Sequence, residues 1–192
     1  MTLASVVLAA GSGTRFGGNK MAALFQGEPL ISHAIRAARA APVGRVIVVC
    51  PPALDIGIWE GRPTVEAVRI TSNAMSASLK AGIEAARDAD GVFVFLGDMP
   101  LVPHGLAAEL AAHLDDHFAV VPRHESRSGH PVLLSGKAFP SIAKLEGDQG
   151  AGRLLKQRTD VAFLDVADST VLLDIDRGED IARLESRDDT DE

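Results

Sequence analysis

Residues 4–10, Ala-Ser-Val-Val-Leu-Ala-Ala, are apolar almost without a break and run directly into the cluster Gly11-Ser12-Gly13-Thr14-Arg15-Phe16-Gly17-Gly18-Asn19-Lys20. A strand with no polar face must be covered on both sides, which is the position of a strand inside a parallel sheet flanked by helices. The glycines that follow let backbone amides turn outward at the strand tip without side-chain obstruction. This junction restricts the chain to α/β folds that carry a loop at the end of a buried strand.

The remainder of the chain supports that restriction. Short apolar runs recur at 46–50, 92–96, 119–121 and 161–166, and helical periodicity covers 30–40, 76–87, 105–117, 150–157 and 179–185. Strand and helix alternate, which predicts a three-layer α/β/α fold. Pro29 suits a first helical turn, Pro42 and Gly44 close the helix that follows, and Pro103 is expected to start the helix after Gly97-Asp98-Met99-Pro100. With 192 residues, 46% of them hydrophobic, one domain over 1–186 is expected, followed by a charged tail at 187–192 with no apolar residue to anchor it.

Composition narrows the function. No apolar run approaches the roughly eighteen residues a membrane span requires, and the opening Met1-Thr2-Leu3-Ala4-Ser5 lacks the cationic start of a signal peptide, so a cytoplasmic location is expected. A net charge of −7 argues against a nucleic-acid partner, while small anions remain open to a few placed cations and backbone amides. The single cysteine, Cys50, ends an apolar run and reads as a buried thiol.

The glycine cluster fits neither of two familiar phosphate loops. A Walker loop requires Gly-Lys-Ser/Thr, and here the order is Gly18-Asn19-Lys20-Met21; the dinucleotide fingerprint requires glycine where Phe16 stands. What remains is a loop whose amides face a polyphosphate, with Arg15 and Lys20 as its positive charge. A second feature is Gly97-Asp98-Met99-Pro100 at the end of the apolar run 92–96, where parallel sheets bind ligands. Asp98 reads either as a turn cap or as a ligand for magnesium, which favours one or two carboxylates completed by phosphate and water. Asp176 in Asp174-Ile175-Asp176 is the second candidate ligand.

Leu8-Ala9-Ala10-Gly11, then Arg15, Gly17 and Lys20, resemble the signature of the MobA-like nucleotidyltransferases, and most closely the branch of molybdenum cofactor cytidylyltransferases. The resemblance extends from about residue 4 to 180. It implies a Rossmann-like, glycosyltransferase-A-like fold with a mixed, mainly parallel sheet, magnesium as the cofactor, CTP as donor and the terminal phosphate of molybdopterin as acceptor. Leu8, Ala10, Gly11, Ser12, Gly13, Arg15, Lys20, Ser78 and Asp98 then become nucleotide-binding positions, with Arg15, Lys20 and Asp98 catalytic and Asp98 and Asp176 on the metal. Gly129-His130-Pro131 and Gly147-Asp148-Gln149-Gly150-Ala151 are similar to acceptor-side segments of that branch, which assigns Gly129, His130 and Asp148 to the acceptor.

The residues alone leave other readings open. Ser76 reads as a helix cap, His130 as a hydrogen-bonded turn residue, and Asp148 as the cap of the helix after it. Two departures from the family stand out: Arg177-Gly178 replaces the Thr-Pro that follows Asp-Ile-Asp, and Gly152 displaces Arg153 from its place after Gly-Ala. The form Leu-Ala-Ala-Gly resembles the CTP-using branch, whereas guanylyl-transferring relatives tend to carry Leu-Ala-Gly-Gly. The alternatives are a same-fold transferase using GTP or a phosphosugar, a non-catalytic nucleotide- or cofactor-binding maturation protein for a molybdoenzyme, and an oxidoreductase, which the failed dinucleotide fingerprint disfavours.

Overall fold

In a computed structural model of the chain, which describes residues 1–11, 13, 16–72 and 74–188, the first apolar run is β1 (Leu3–Leu8). A small hairpin, β2 (Leu24–Phe25) and β3 (Glu28–Pro29), leads into α1 (Leu30–Ala40), β4 (Arg45–Cys50) and β5 (Thr64–Arg69). Then follow α2 (Met75–Ala85), β6 (Gly91–Leu96), α3 (Leu106–Ala112), β7 (Ala119–His124), β8 (Arg127–Ser128) and β9 (Val132–Ser135). The short helices α4 (Phe139–Ile142) and α5 (Ala151–Leu155), strand β10 (Val161–Asp165) and helix α6 (Gly178–Asp188) complete the chain.

The main sheet has eight strands in the order β10-β7-β9-β6-β1-β4-β5, with β8 paired to β7. The pairs β1–β4, β1–β6, β4–β5 and β7–β10 are parallel, while β9 runs antiparallel between β6 and β7. The mixed, mainly parallel α/β sheet is therefore as expected, but three of its strands, β5, β8 and β9, were not legible. β5 lies at the sheet edge and is mostly exposed, and β8 and β9 directly precede and follow the Gly129-His130-Pro131 motif.

Side-chain alternation in β1 explains why every residue of it is buried. Leu3 and Val7 face a core shared with Ile31 and Ile35 of α1 and Leu106 and Leu110 of α3. Ala4, Val6 and Leu8 face the opposite core, with Leu79 and Ile83 of α2 and Ile142 of α4. Each fully buried aliphatic side chain contributes about 1.5–3 kcal/mol. Ser5 is tolerated there because its hydroxyl donates to the Ala38 carbonyl at 3.0 Å. A third, smaller cluster joins Phe25, Leu30, Ile175 and Leu184, fastening the C-terminal segment beside the hairpin.

Several boundaries move for local reasons. The helix expected to start at Pro103 starts at Leu106, whose amide bonds back to the Pro103 carbonyl at 3.2 Å. It ends at Ala112 rather than 117, shortly before Asp115 adopts a left-handed φ of 34°. Helix α6 continues to Asp188, two residues into the stretch read as tail; residues 189–192 lie outside the described residues. Cys50 is buried as expected, and desolvation raises its thiol pKa even though the Arg69 guanidinium donates to its sulfur at 3.1 Å. Among the described residues, no helix is long and apolar enough to cross a membrane.

Candidate active site

The chain runs outward from β1 to β4 and β5, then returns to place β6 on the other side of β1. The carboxyl ends of β1 and β6 thus form the switch point of the sheet, where open α/β folds leave a crevice for ligands. Leu8 pairs with Leu96, and the Gly97 amide donates to the Leu8 carbonyl at 2.9 Å. The glycine-rich loop and Asp98 consequently leave the sheet side by side.

The loop turns back on itself at Gly13, where φ is +53° and an added Cβ would lie 3.2 Å from Cβ of Lys20. The Phe16 amide donates to the Gly13 carbonyl and the Lys20 amide to the Gly18 carbonyl, both at 2.9 Å. Lys20 then opens a 3-10 turn with only 7% of its surface exposed. A buried ammonium requires partners, and here they are Asp98 Oδ2 at 2.7 Å and Asp176 Oδ1 at 3.3 Å. Asp98 is accordingly an ion-pair partner at the strand end rather than a simple turn cap.

Ile175 explains why Asp176 reaches the same place. It is fully buried between Phe25, Leu30 and Leu184, and its amide donates to the Asp98 carbonyl at 2.9 Å. The two residues flanking it, Asp174 and Asp176, join Asp98 so that one oxygen from each lies within 4.8 Å of the others. Burial, reinforced by the like charges of Asp176 and Asp98, holds the Asp174 carboxyl above its ordinary pKa. Three carboxylates converging in this way offer hard oxygen donors, which suit a divalent cation. Asp174 went unassigned in the sequence reading, although its alternation with Ile175 and Asp176 was the available signal.

The departure at Arg177-Gly178 does not loosen this turn. The Asp180 carboxylate accepts from the amides of Asp176 at 3.0 Å and Arg177 at 2.8 Å. A carboxylate at the third helical position thus bonds back to the residue before α6, as half of a capping box does. Those amide bonds hold Asp180 below its ordinary pKa.

Three adjoining hollows surround these groups. One, of about 250 Å³, follows the loop past Gly11, Gly13, Asn19 and Lys20. A second, of about 100 Å³, is bounded by Leu8, Ala10, Gly11, Ser78 and Asp98. The third, of about 600 Å³, extends past Gly129, His130 and Asp148. The first two share Ala10, Gly11 and Met21, and the last two share Leu8, Met75 and Leu96. A continuous depression therefore leads from the glycine loop across Asp98 to the segment at 129–130.

The start of α2 borders this depression differently from the sequence reading. Ser76 is not the cap: Ala74 occupies that position without a side-chain bond, and Ser76 is buried as the second residue of the helix, its amide donating to the Gly147 carbonyl at 3.2 Å. Ser78 lines the small hollow while its hydroxyl donates to the Ala74 carbonyl at 3.3 Å. The turn at 147–150 rests on the start of α2, so these two distant segments form one wall. Asp148 is exposed on that wall and does not cap α5, whose N-cap is Gly150 with no side-chain bond.

His130 combines both of its readings. Its Nδ1 lies 3.3 Å from the Val94 carbonyl, its amide donates to the Val171 carbonyl at 2.9 Å, and its side chain also lines the large hollow. Burial, opposed by the Val94 bond and the nearby Asp98 and Asp174 charges, lowers its pKa. Gly129 has a steric reason to lack a side chain, because a Cβ would lie 2.5 Å from the Val171 carbonyl oxygen. Lys156, rather than Arg153, lines the cavity beyond α5. Leu8, Ala10, Gly11, Gly13, Lys20, Ser78, Asp98, Gly129, His130, Asp148 and Asp176 thus converge on one face, while Ser12 and Arg15 lie outside the described residues.

Residues 5–161 match the MobA-like NTP transferase domain. The chain is 30% identical to the purine catabolism protein PucB of Bacillus subtilis, over 93% of each protein. It is 35% identical to the 2-C-methyl-D-erythritol 4-phosphate cytidylyltransferase of Cereibacter sphaeroides, over 64% of this chain and 58% of that one. Among solved structures it resembles Rv0371c from Mycobacterium tuberculosis, with a TM-score of 0.83 and 25% identity over 96% of this chain and 97% of that one. A manganese complex of Rv0371c superimposes with a TM-score of 0.74 and 26% identity over 96% and 98% of the two chains.

Proposed function

This chain belongs to the MobA-like NTP transferase family, and from that premise we propose that it moves CMP from CTP to the terminal phosphate of molybdopterin, releasing pyrophosphate. The observation that carries the reading is the meeting of Lys20 with Asp98 and Asp176 at the switch point of the sheet, between the glycine loop and the large cavity.

In this mechanism an oxygen of the acceptor phosphate attacks the α-phosphorus of CTP; the new phosphoanhydride bond forms as the bond to the β-phosphate breaks and pyrophosphate departs with that electron pair. No protein nucleophile takes part. The loop amides at Gly11 and Gly13, with Ser12, Arg15 and Lys20, hold the β- and γ-phosphates, and the Lys20 ammonium offsets the charge gathering on the leaving group. Leu8, Ala10 and Ser78, which border the small hollow beside Asp98, hold the cytosine. Gly129, His130 and Asp148 orient the acceptor. Asp98 and Asp176, with Asp174, would hold magnesium, which would supply positive charge against the phosphates. The donor set fits: one oxygen from each of three hard carboxylates lies within 4.8 Å of the others.

A second reading is supported by the likeness to a cytidylyltransferase named for an alditol phosphate: the same chemistry with a phosphosugar or alditol phosphate acceptor. The deciding experiment incubates the protein with magnesium, each of the four common triphosphates, and either molybdopterin or phosphosugars, followed by product identification. The proposal expects the cytosine dinucleotide of molybdopterin and pyrophosphate. Turnover with GTP only, or with phosphosugars only, replaces it with the rival. Tight CTP binding with no pyrophosphate release in the presence of either acceptor identifies a non-catalytic maturation protein.

A further inference from the structure

Lys20 and Asp176 meet at 3.3 Å although 156 positions separate them in the chain. Each is followed by an element that carries it: Lys20 by its 3-10 turn and the β2–β3 hairpin, Asp176 by α6. Those two elements hold one another. Phe25 of β2 and Leu30 at the start of α1 share a buried cluster with Ile175 and with Leu184 of α6, and Ile181 packs against it. At the hairpin tip, where Gln26 has a φ of 49°, the Gln26 amide donates to the Glu185 carboxylate of α6 at 2.7 Å. Nearer the site, one oxygen of Asp180 accepts from the amides of Asp176 at 3.0 Å and Arg177 at 2.8 Å, while its other oxygen accepts from the Arg183 guanidinium at 2.9 Å.

A carboxylate in the first turn stabilises a helix wherever the helix lies. Asp180 does something more local, because one of the amides it holds belongs to Asp176, whose carboxylate joins those of Asp98 and Asp174. Fixing the backbone at Asp176 fixes the direction in which its side chain leaves the chain. The connection itself supplies little stiffness, since Arg177-Gly178 leads into the helix and glycine is the least restrained of residues. The neighbouring carboxylate provides a contrast: the Glu179 side chain is 75% exposed, against 14% for Asp180.

We infer that α6 is a brace for the acidic cluster, in which Asp180 is the positioning residue that aims the Asp176 carboxylate and Glu185, through the Gln26 amide, ties the helix to the hairpin that follows Lys20. The inference rests on the reading of Asp98, Asp174 and Asp176 as metal ligands. It assigns the support of that site to a helix whose own side chains meet neither triphosphate nor acceptor. The brace lies beyond residue 161, where the match to the family ends.

The test measures manganese binding to the full-length protein without nucleotide, through the electron paramagnetic resonance of the free ion, with the thermal midpoint in EDTA as a check on folding. Wild type is compared with Asp180→Ala, Asp180→Asn, Glu185→Ala and, as a control for loss of a nearby negative charge, Glu179→Ala. Asp180→Ala should weaken manganese by about ten- to a hundredfold. Asp180→Asn, which keeps an oxygen for the two amides, should recover most of that loss, and Glu179→Ala should bind like wild type. Glu185→Ala should weaken binding about threefold or more, and it decides the matter if Asp180→Ala does not fold. A lowered midpoint in Asp180→Ala with manganese affinity unchanged would make Asp180 a helix cap alone and overturn the inference, as would equal weakening in Glu179→Ala. If wild type binds no manganese, the metal reading falls and the brace with it. If manganese binding follows the expected order but no triphosphate releases pyrophosphate with any acceptor, the brace stands and the transferase reading fails.

Discussion

Replacing Lys20 with methionine keeps the length of the side chain and removes its charge from the point where the loop meets the acidic cluster. At an effective dielectric constant near 20, unit charges at the observed 2.7 and 3.3 Å attract by roughly 6 and 5 kcal/mol. Withdrawing the ammonium from water costs several kcal/mol. The Asp176 side chain is 48% exposed, so solvent screening reduces that pair to about 1 kcal/mol or less. What remains is a net destabilisation of about 2–4 kcal/mol, which for a chain of this length lowers the unfolding midpoint by roughly 4–16 °C in EDTA. Adding a divalent cation should then act in opposite senses on fold and function. The variant takes the Lys20 ammonium away from three converging carboxylates, so manganese should stabilise it more than the wild type, approaching about 2.7 kcal/mol at a hundredfold excess over Kd. Product formation should stay low, since the phosphates have lost their ammonium. Thermal unfolding followed by circular dichroism, with and without manganese, provides the measurement. Equal midpoints in EDTA, or a larger metal effect on the wild type, would refute the view that Lys20 neutralises a cation-binding cluster.

Asp98→Ala should remain folded while its rate of product formation drops by on the order of a hundredfold or more; near-normal turnover in magnesium would remove Asp98 from the mechanism. Gly129→Ala places a methyl group 2.5 Å from the Val171 carbonyl oxygen and should cost about 1–3 kcal/mol in urea unfolding, a value near zero showing that the segment around Val171 gives way freely. His130 titrates below its ordinary value because burial disfavours its charged form. As pH falls below about 6.5, the unfolded chain binds a proton that the folded chain refuses. Wild type should therefore lose more stability between pH 7 and 5 than His130→Gln, and parallel stability profiles would contradict the depressed pKa.

The fold was legible where burial is symmetric. β1 and β6 lie between α1 and α2, so both faces of each strand are apolar and the runs stand out in the sequence. β5 carries Thr64, Glu66 and Arg69 at an edge where only Val65 and Val68 are partly covered, one against each core, so the strand has neither a continuous apolar run nor an alternation to recognise. β9 has four buried residues, Val132–Ser135, immediately after a motif that drew attention to its glycine and histidine. Its direction, antiparallel between β6 and β7, follows from the return of the chain through the β8 hairpin, which no local pattern encodes.

The site divides along the same line between local and distant causes. The glycine loop and Asp98 were found because each directly follows a buried strand, and a parallel sheet delivers the ends of neighbouring strands to the same edge. Asp174 was missed because its position depends on Ile175 entering a cluster formed with Phe25, Leu30 and Leu184, residues that become neighbours only after folding. Ser76 was misread for a related reason: a serine before an apolar run looks like a helix cap, yet the amide that such a cap leaves to water is bonded here to the Gly147 carbonyl. That bond also joins the wall of the small hollow to the turn bearing Asp148, and Met75 lies between them on both hollows. The small hollow and the large cavity therefore share a wall whose two halves, the start of α2 and the 147–150 turn, are some seventy positions apart in the chain.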